Sequence, residues 1–212
     1  MIKNQSQTPL FRLFGGKLRS QITCERCNYK SDTFDETFTL PLQLNSKQGD
    51  ATLGQALKDF CSVDHLNKNN KYLCPKCKSK QNATKRTSIN QAPRILIFTI
   101  KRFDPFGRKI QAKIKYPLTF NAKAHMDEAV DGKGEMVPDQ VYDLYGVVVH
   151  QGGSTSSGHY YSYCKTEMAL DPTSHKPGAG KWHECNDEYI SQISEQQALN
   201  AQAYLLFYQK RV

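Results

Sequence analysis

Phe38, Leu40, Leu42 and Leu44 alternate with polar or small residues, the period-two pattern of a strand with one buried face. Just downstream the period changes. Leu53, Ala56, Leu57 and Phe60 recur at i, i+3, i+4 and i+7 behind Thr52, which predicts a helix capped by the Thr52 hydroxyl and ending near Cys61 and Ser62. Residues 94–100 are short, apolar and β-branched and follow Pro93, so they predict a buried strand. Further strands are predicted over residues 109–114, 142–149, 159–165 and 203–209, with a capping box at Ser194-Glu195-Gln196-Gln197 ahead of the last. At the start of the chain, Leu10, Phe11, Leu13 and Phe14 form a packing segment, Gly15-Gly16 permits a tight turn, and a strand then runs into Cys24. Residues 45–50 read as a turn, and 122–138 and 168–180, rich in Gly, Pro and charge, as exposed insertions. The expected fold class is α+β with a mainly antiparallel sheet and no internal repeat.

The 212 residues suffice for one large or two small domains, and 38% hydrophobic content supports a packed core rather than a disordered chain. No run of about 18 apolar residues occurs and no secretory core follows Met1, which predicts an intracellular protein, nuclear or cytoplasmic, with no membrane partner. The net charge of +9 is regional: residues 58–123 hold 16 basic and 3 acidic side chains, and the remainder is net negative. Such a segment can attract an acidic protein or RNA, although a solvated lysine-rich surface is the simpler account.

Four of the seven cysteines form two Cys-x-x-Cys pairs, Cys24 with Cys27 and Cys74 with Cys77, while Cys61, Cys164 and Cys185 are scattered. That is a poor disulfide framework and a good metal site: each pair makes a knuckle that turns two thiolates inward, and two knuckles complete a tetrahedral structural Zn²⁺. Because 46 residues separate the pairs, the intervening chain must fold to bring them together. The competing reading is four buried or redox-active thiols.

A second chemical signal is Gly152-Gly153-Ser154-Thr155-Ser156-Ser157-Gly158-His159-Tyr160-Tyr161. It places an imidazole at the start of a strand beside a Gly/Ser loop, a position suited to a general base at a cleft. Alone it is weak. Trp182-His183-Glu184-Cys185-Asn186-Asp187 strengthens it, because a neighbouring strand would offer an amide and a carboxylate to orient the His159 ring.

Leu13-Phe14-Gly15-Gly16-Lys17-Leu18-Arg19-Ser20, the two Cys pairs, Ile100-Lys101-Arg102-Phe103, Gly158-His159-Tyr160-Tyr161, Trp182 through Asp187 and Tyr204-Leu205-Leu206-Phe207-Tyr208 together resemble the ubiquitin-specific proteases, in that order and across nearly the whole chain. The resemblance implies a papain-like cysteine protease fold with a palm sheet, zinc-bearing fingers and a largely absent helical thumb. It places fingers at about residues 20–93 and palm at about 94–212. His159 would be the base, Asn186 its orienting partner with Asp187 the adjacent candidate, residues 152–158 a blocking loop, and Cys24, Cys27, Cys74 and Cys77 the ligands of a structural zinc. Ubiquitin and ubiquitinated proteins would be the partners. His150 reads as structural and His183 as a surface neighbour.

The family's nucleophile lies in a box of the form Gly-x-x-Asn-x-Gly-Asn-Thr-Cys, which does not occur in these 212 residues. Cys61 follows a helix rather than beginning one, Cys164 lies inside a strand and Cys185 precedes the orienting pair, so each reads as a buried small apolar residue rather than a substitute. The expectation is the C-terminal part of a deubiquitinating enzyme that acts through a thioester and is inactive alone. The alternatives are a non-catalytic ubiquitin-binding module and a zinc-stabilised nucleic-acid binder.

Overall fold

Strands rich in apolar residues bury one face, whereas the charged strand Lys30–Thr37 buries none of its residues. The computed structural model describes residues 8–44, 51–127, 138–154, 157–166 and 180–211. In chain order the elements are α1 (Pro9–Phe14), β1 (Gly16–Cys24), β2 (Lys30–Thr37), β3 (Leu40–Gln43), β4 (Ala51–Thr52), α2 (Leu53–Phe60), β5 (Val63–Leu66), β6 (Tyr72–Cys74), β7 (Ser79–Gln81), β8 (Ala83–Gln91), β9 (Ile95–Lys101), β10 (Ile114–Lys115), β11 (Thr119–Asn121), β12 (Val141–Gln151), β13 (His159–Lys165), β14 (Trp182–Asn186), β15 (Tyr189–Ile193), α3 (Glu195–Asn200) and β16 (Ala203–Lys210), with a 3-10 turn at Lys123–His125. They form two compact units, residues 1–38, 57–94 and 121–140 in the first and 39–56, 95–120 and 141–212 in the second.

The second unit is built on a sheet of order β15-β14-β13-β12-β16-β9-β3, with β11 added on β12. All its pairs along this path are antiparallel except β3 with β9. Register aligns one apolar row across four strands: Leu40 opposite Phe98, Phe98 opposite Leu206, and Leu206 opposite Val147. All four are at most 2% exposed. Each such side chain contributes about 1.5–3 kcal/mol on burial, so this row and its neighbours hold the sheet. Phe98, Phe120 and Tyr208 meet edge to face with centroids 5.7–6.1 Å apart. The Tyr208 hydroxyl donates to the Pro117 carbonyl at 2.6 Å.

The predicted strand at 109–114 is present only as Ile114–Lys115. The reason is Arg102, 1% exposed. Its Nε donates to the Ala203 carbonyl at 2.6 Å and its Nη1 to the carbonyls of Ile110 and Ala112 at 3.3 and 2.9 Å. Carbonyls that a strand would have paired with a neighbour are taken by a guanidinium instead. Burial pulls the Arg102 pKa down to about 10, which still leaves it charged at neutral pH.

In the first unit, β2, β1, β8 and β5 form an antiparallel sheet whose exposed positions are mostly polar. Side chains supplement the ladder. Asp32 accepts from Arg19 Nε and Nη2 at 2.8 and 3.1 Å and from Gln21 at 2.9 Å. Asp127 accepts from Ser88 and, at 3.1 Å, from Asn90. Residues 122–127 are therefore not the exposed insertion expected of them: Ala122 is fully buried and Asp127 is tied to β8. The expected insertion at 168–180, apart from Gly180, and the turn at 45–50 lie outside the described residues. So do residues 128–137 of the other insertion.

Two further expectations change. Gly15-Gly16 makes no tight turn: Gly15 has a φ of −75° and β1 begins at Gly16. Small size is what the site requires, because a Cβ on Gly15 would overlap the Phe11 ring and one on Gly16 would come to 2.9 Å from the Gln91 carbonyl. Phe38 precedes β3 rather than joining it and packs edge-on against Phe11 at 5.7 Å. The Thr52 cap and the capping box at Ser194 form as expected.

Replacing Arg102 with Leu is expected to lower stability by about 3 kcal/mol, because buried carbonyls lose charged donors. Urea unfolding followed by the fluorescence of Trp182, the sole tryptophan, measures it. An unchanged midpoint would show that the three carbonyls find other partners.

Candidate active site and metal centre

His159 opens β13 and Asn186 closes β14, so the antiparallel pairing of these strands decides whether they meet. Ser162 lies opposite Cys185 and Tyr163 opposite Glu184. Continued one step, that register sets Asn186 against Tyr161, on the same face of the sheet as His159 two residues away. His159 Nε2 lies 2.6 Å from Asn186 Oδ1. Since the amide oxygen only accepts, Nε2 is the donor in this contact. Asp187 Oδ2 stands 3.9 Å from the same Nε2 and is largely exposed. Asp187 is the first residue of the two-residue turn between β14 and β15, with a φ of 53°. The predicted site residues thus come together, with Asn186 in hydrogen-bond contact and Asp187 at longer range.

The chain leading into His159 rests on a buried ring. His150 is 4% exposed and lies 5.6 Å from the Phe103 ring, 4.7 Å from Tyr160 and 6.3 Å from Tyr204. Lys109 Nζ donates to its carbonyl. Burial, with Lys109 nearby, lowers the His150 pKa and favours the neutral ring. Gly158 sits directly on that ring: a Cβ there would overlap His150 Nε2 and approach the Gln151 carbonyl at 2.9 Å. The hairpin of residues 102–109 supports the same loop, with Asp104 Oδ1 accepting from Phe106 and Arg108 N–H at 2.9 Å each and Lys109 N–H donating to Gly153 at 3.3 Å. This support by Phe103 and Lys109 is long-range, and no local pattern in the sequence signals it. His183, expected at the surface, is half-buried, and its Nδ1 is enclosed with no partner among the described residues.

Parity also disposes of two cysteines. Cys164 and Cys185 occupy the face of β13 and β14 opposite His159. Cys164 is exposed, which corrects the expectation of a buried residue. Cys185 is half-buried, and burial raises its thiol pKa, with Cys164 adding to the effect. Cys61 is buried, points to the His125 carbonyl at 3.7 Å, and has its pKa raised by burial.

The remaining four cysteines converge in the first unit, with all their sulfurs within 4.8 Å of one another. Both knuckles have the same backbone. Asn28 N–H donates to the Cys24 carbonyl at 2.9 Å and Lys78 N–H to the Cys74 carbonyl at 2.8 Å, and Asn28 and Lys78 both have a φ of 55°. Burial opposes ionisation of Cys24, but backbone N–H groups of Cys27 and Arg26 outweigh it and bring this thiol down to about 7. Cys77, hydrogen-bonded to Cys27, is pushed up to about 12. Four soft sulfurs in a closed cluster suit a structural metal ion.

An antiparallel sheet that presents an imidazole to a side-chain amide, with a four-cysteine cluster in a separate unit, fits the papain-like fold of the solved structure described below. A family model described as ubiquitin carboxyl-terminal hydrolase matches residues 2–208, and the chain belongs to that family. It is 35% identical over 206 residues to ubiquitin carboxyl-terminal hydrolase 17-like protein D of Mus musculus, covering 97% of this chain and 34% of that protein. It is 37% identical over 203 residues to the probable ubiquitin carboxyl-terminal hydrolase 16 of Schizosaccharomyces pombe, covering 94% of this chain and 40% of that one. A solved structure of the SAGA Ubp8/Sgf11/Sus1/Sgf73 DUB module bound to ubiquitin aldehyde matches with a TM-score of 0.81 and 31% identity, covering 99% of this chain and 44% of the matched one. The chain therefore spans less than half the length of each. No helix among the described residues is long and apolar enough to cross a membrane.

A Gly158→Ala chain is expected to lose about 1–3 kcal/mol of stability, the cost of forcing a methyl group into a filled space. The Trp182-monitored urea midpoint reads it, and an unaltered midpoint would mean that His150 yields without cost.

Proposed function

We propose that the chain is the His-bearing part of a deubiquitinating cysteine protease, with zinc-bearing fingers at about residues 20–93 and the palm at about 94–212. The observation that carries this reading is the 2.6 Å contact between His159 Nε2 and Asn186 Oδ1. It fixes the ring and leaves Nδ1 as a base, an arrangement that simple binding does not need. Nδ1 takes the proton of a cysteine thiol as the sulfur attacks the carbonyl carbon of ubiquitin's C-terminal glycine. The imidazolium then gives that proton to the departing amine, leaving a thioester. In the second half, His159 deprotonates water, which releases the carboxylate and restores the thiol. Asn186 holds the ring throughout, and Asp187 steadies its charged form from 3.9 Å. The thiol comes from a segment outside these 212 residues, because Cys164 and Cys185 face away from His159, Cys61 is buried and the other four belong to the cluster. The relative whose structure was solved with ubiquitin aldehyde supports ubiquitin as the partner. Binding of ubiquitin without turnover is the competing outcome.

The test is labelling by a ubiquitin C-terminal electrophile, comparing the chain alone with the chain joined to the Cys-box segment of a relative. Only the joined form is expected to react. His159→Ala should slow its turnover by about 10²–10⁴-fold and Asn186→Ala by about 10²-fold, with little change in ubiquitin affinity. Labelling of the unjoined chain would place the nucleophile among Cys61, Cys164 and Cys185, and a joined form that binds but never reacts would make this a binding module.

Cys24, Cys27, Cys74 and Cys77 hold one Zn²⁺, whose role is to supply folding free energy, about 10–16 kcal/mol for sites of this kind. Metal analysis should find one zinc per chain. Chelation or Cys74→Ser is expected to abolish amide-exchange protection in β1 and β8 while Trp182 emission persists. Retained protection after metal loss would refute a structural role.

A further inference from the structure

Five lysines, Lys68, Lys71, Lys76, Lys78 and Lys80, follow one another around the second cysteine knuckle, and all are exposed. None of them makes an ion pair among the described residues. From residue 62 to 91 the chain has seven Lys and Arg against a single carboxylate, Asp64. Glu25, on the first knuckle, lies 3.8 Å from His65.

Two features distinguish this cluster from a merely solvated face. Lys68 and Lys78 have φ values of 47° and 55°, in the left-handed region where a side chain with a Cβ is strained and Gly or Asn is relaxed. The corresponding position of the first knuckle is Asn28, at the same φ of 55°. The backbone demand is identical, so it does not account for a lysine at 78. The second feature is Leu73, 65% exposed and directly opposite Lys80 in the β6–β7 pair. An apolar side chain there stands opposite Lys80 and two residues along the chain from Lys71.

Lys76 and Lys78 flank Cys77 and so stand next to the cluster in sequence, whereas Lys68, Lys71 and Lys80 lie farther along the chain. We propose that these three lysines and Leu73 form a docking surface for an acidic protein segment, whose carboxylates meet the ammonium groups while an apolar side chain covers Leu73. Single-stranded nucleic acid would call for exposed aromatic faces in series, whereas the exposed residue at the centre is aliphatic and Tyr72 beside it is half-buried. The surface depends on the zinc-loaded fold proposed above and is independent of the catalytic reading.

Fluorescence anisotropy of the zinc-loaded 212-residue chain, with a labelled peptide of Glu and Leu and with a labelled single-stranded RNA of equal length, tests this. The peptide should bind more tightly than the RNA and weaken as salt rises. Lys68→Gln, Lys71→Gln and Lys80→Gln together should cost about tenfold or more in peptide affinity, and Leu73→Ser alone several-fold, both with zinc content unchanged. Tighter binding of RNA, no binding of either probe, or peptide binding insensitive to salt in the unaltered chain would each overturn the proposal. The salt measurement needs no variant, so a misfolded variant does not rescue it.

Discussion

The pairing register of β13 with β14 is the constraint on which the candidate site depends. Side chains alternate between faces, so a slip of one residue would send Asn186 to the far side of the sheet and bring Cys185 or Asp187 to the His159 face. The register is held from both ends. At one end Trp182, 2% exposed, pairs with Lys165. At the other, the two-residue turn from Asn186 to Tyr189 fixes where β14 must stop. Behind β13, the buried Val147 and Val149 lock β12 into the apolar row through Leu206 and Phe98. A buried hydrophobic row thus sets the position of a hydrogen bond at the sheet's rim, and the chemistry inherits its precision from packing several strands away.

The first unit lacks that resource. Its strands are polar on most positions, and strands without a strongly apolar face specify register weakly. What replaces a large core is a set of discrete ties: Arg19 and Gln21 to Asp32, Ser88 and Asn90 to Asp127, and the four-cysteine cluster. The cysteine pairs lie far apart in sequence, and the cost of closing a loop grows only slowly with its length. A cluster that joins the end of β1 to the β6–β7 hairpin therefore constrains much of this unit for a modest entropic cost.

This difference governs what was legible in the sequence. In the second unit, Leu40 and Leu42, and likewise Leu96, Phe98 and Ile100, bury one face, so the predicted strands formed there and the His159–Asn186 neighbourhood could be read from motif spacing. In the first, β2, β5, β6, β7 and β8 carry sequences such as Lys30-Ser31-Asp32 and Thr84-Lys85-Arg86, whose only periodic signal is the ladder itself. The Cys pairs announced the cluster but not the sheet around it. The failed strand at 109–114 is a third kind of case: its alternation was real, but a buried cation from a distant position, Arg102, claimed the carbonyls, and no local pattern encodes that competition.

Face parity also separates the chain's thiols by task. Cys164 and Cys185 share the strands of His159 and Asn186 and are closer in sequence to them than any other cysteine, yet alternation sets both on the wrong face. Proximity in sequence therefore argues against them rather than for them, since an odd offset along a strand is a change of side. The buried Cys61 has its pKa raised, and the four remaining sulfurs are committed to one another. The imidazole is left held by Asn186, with no described thiol on its face of β13 and β14.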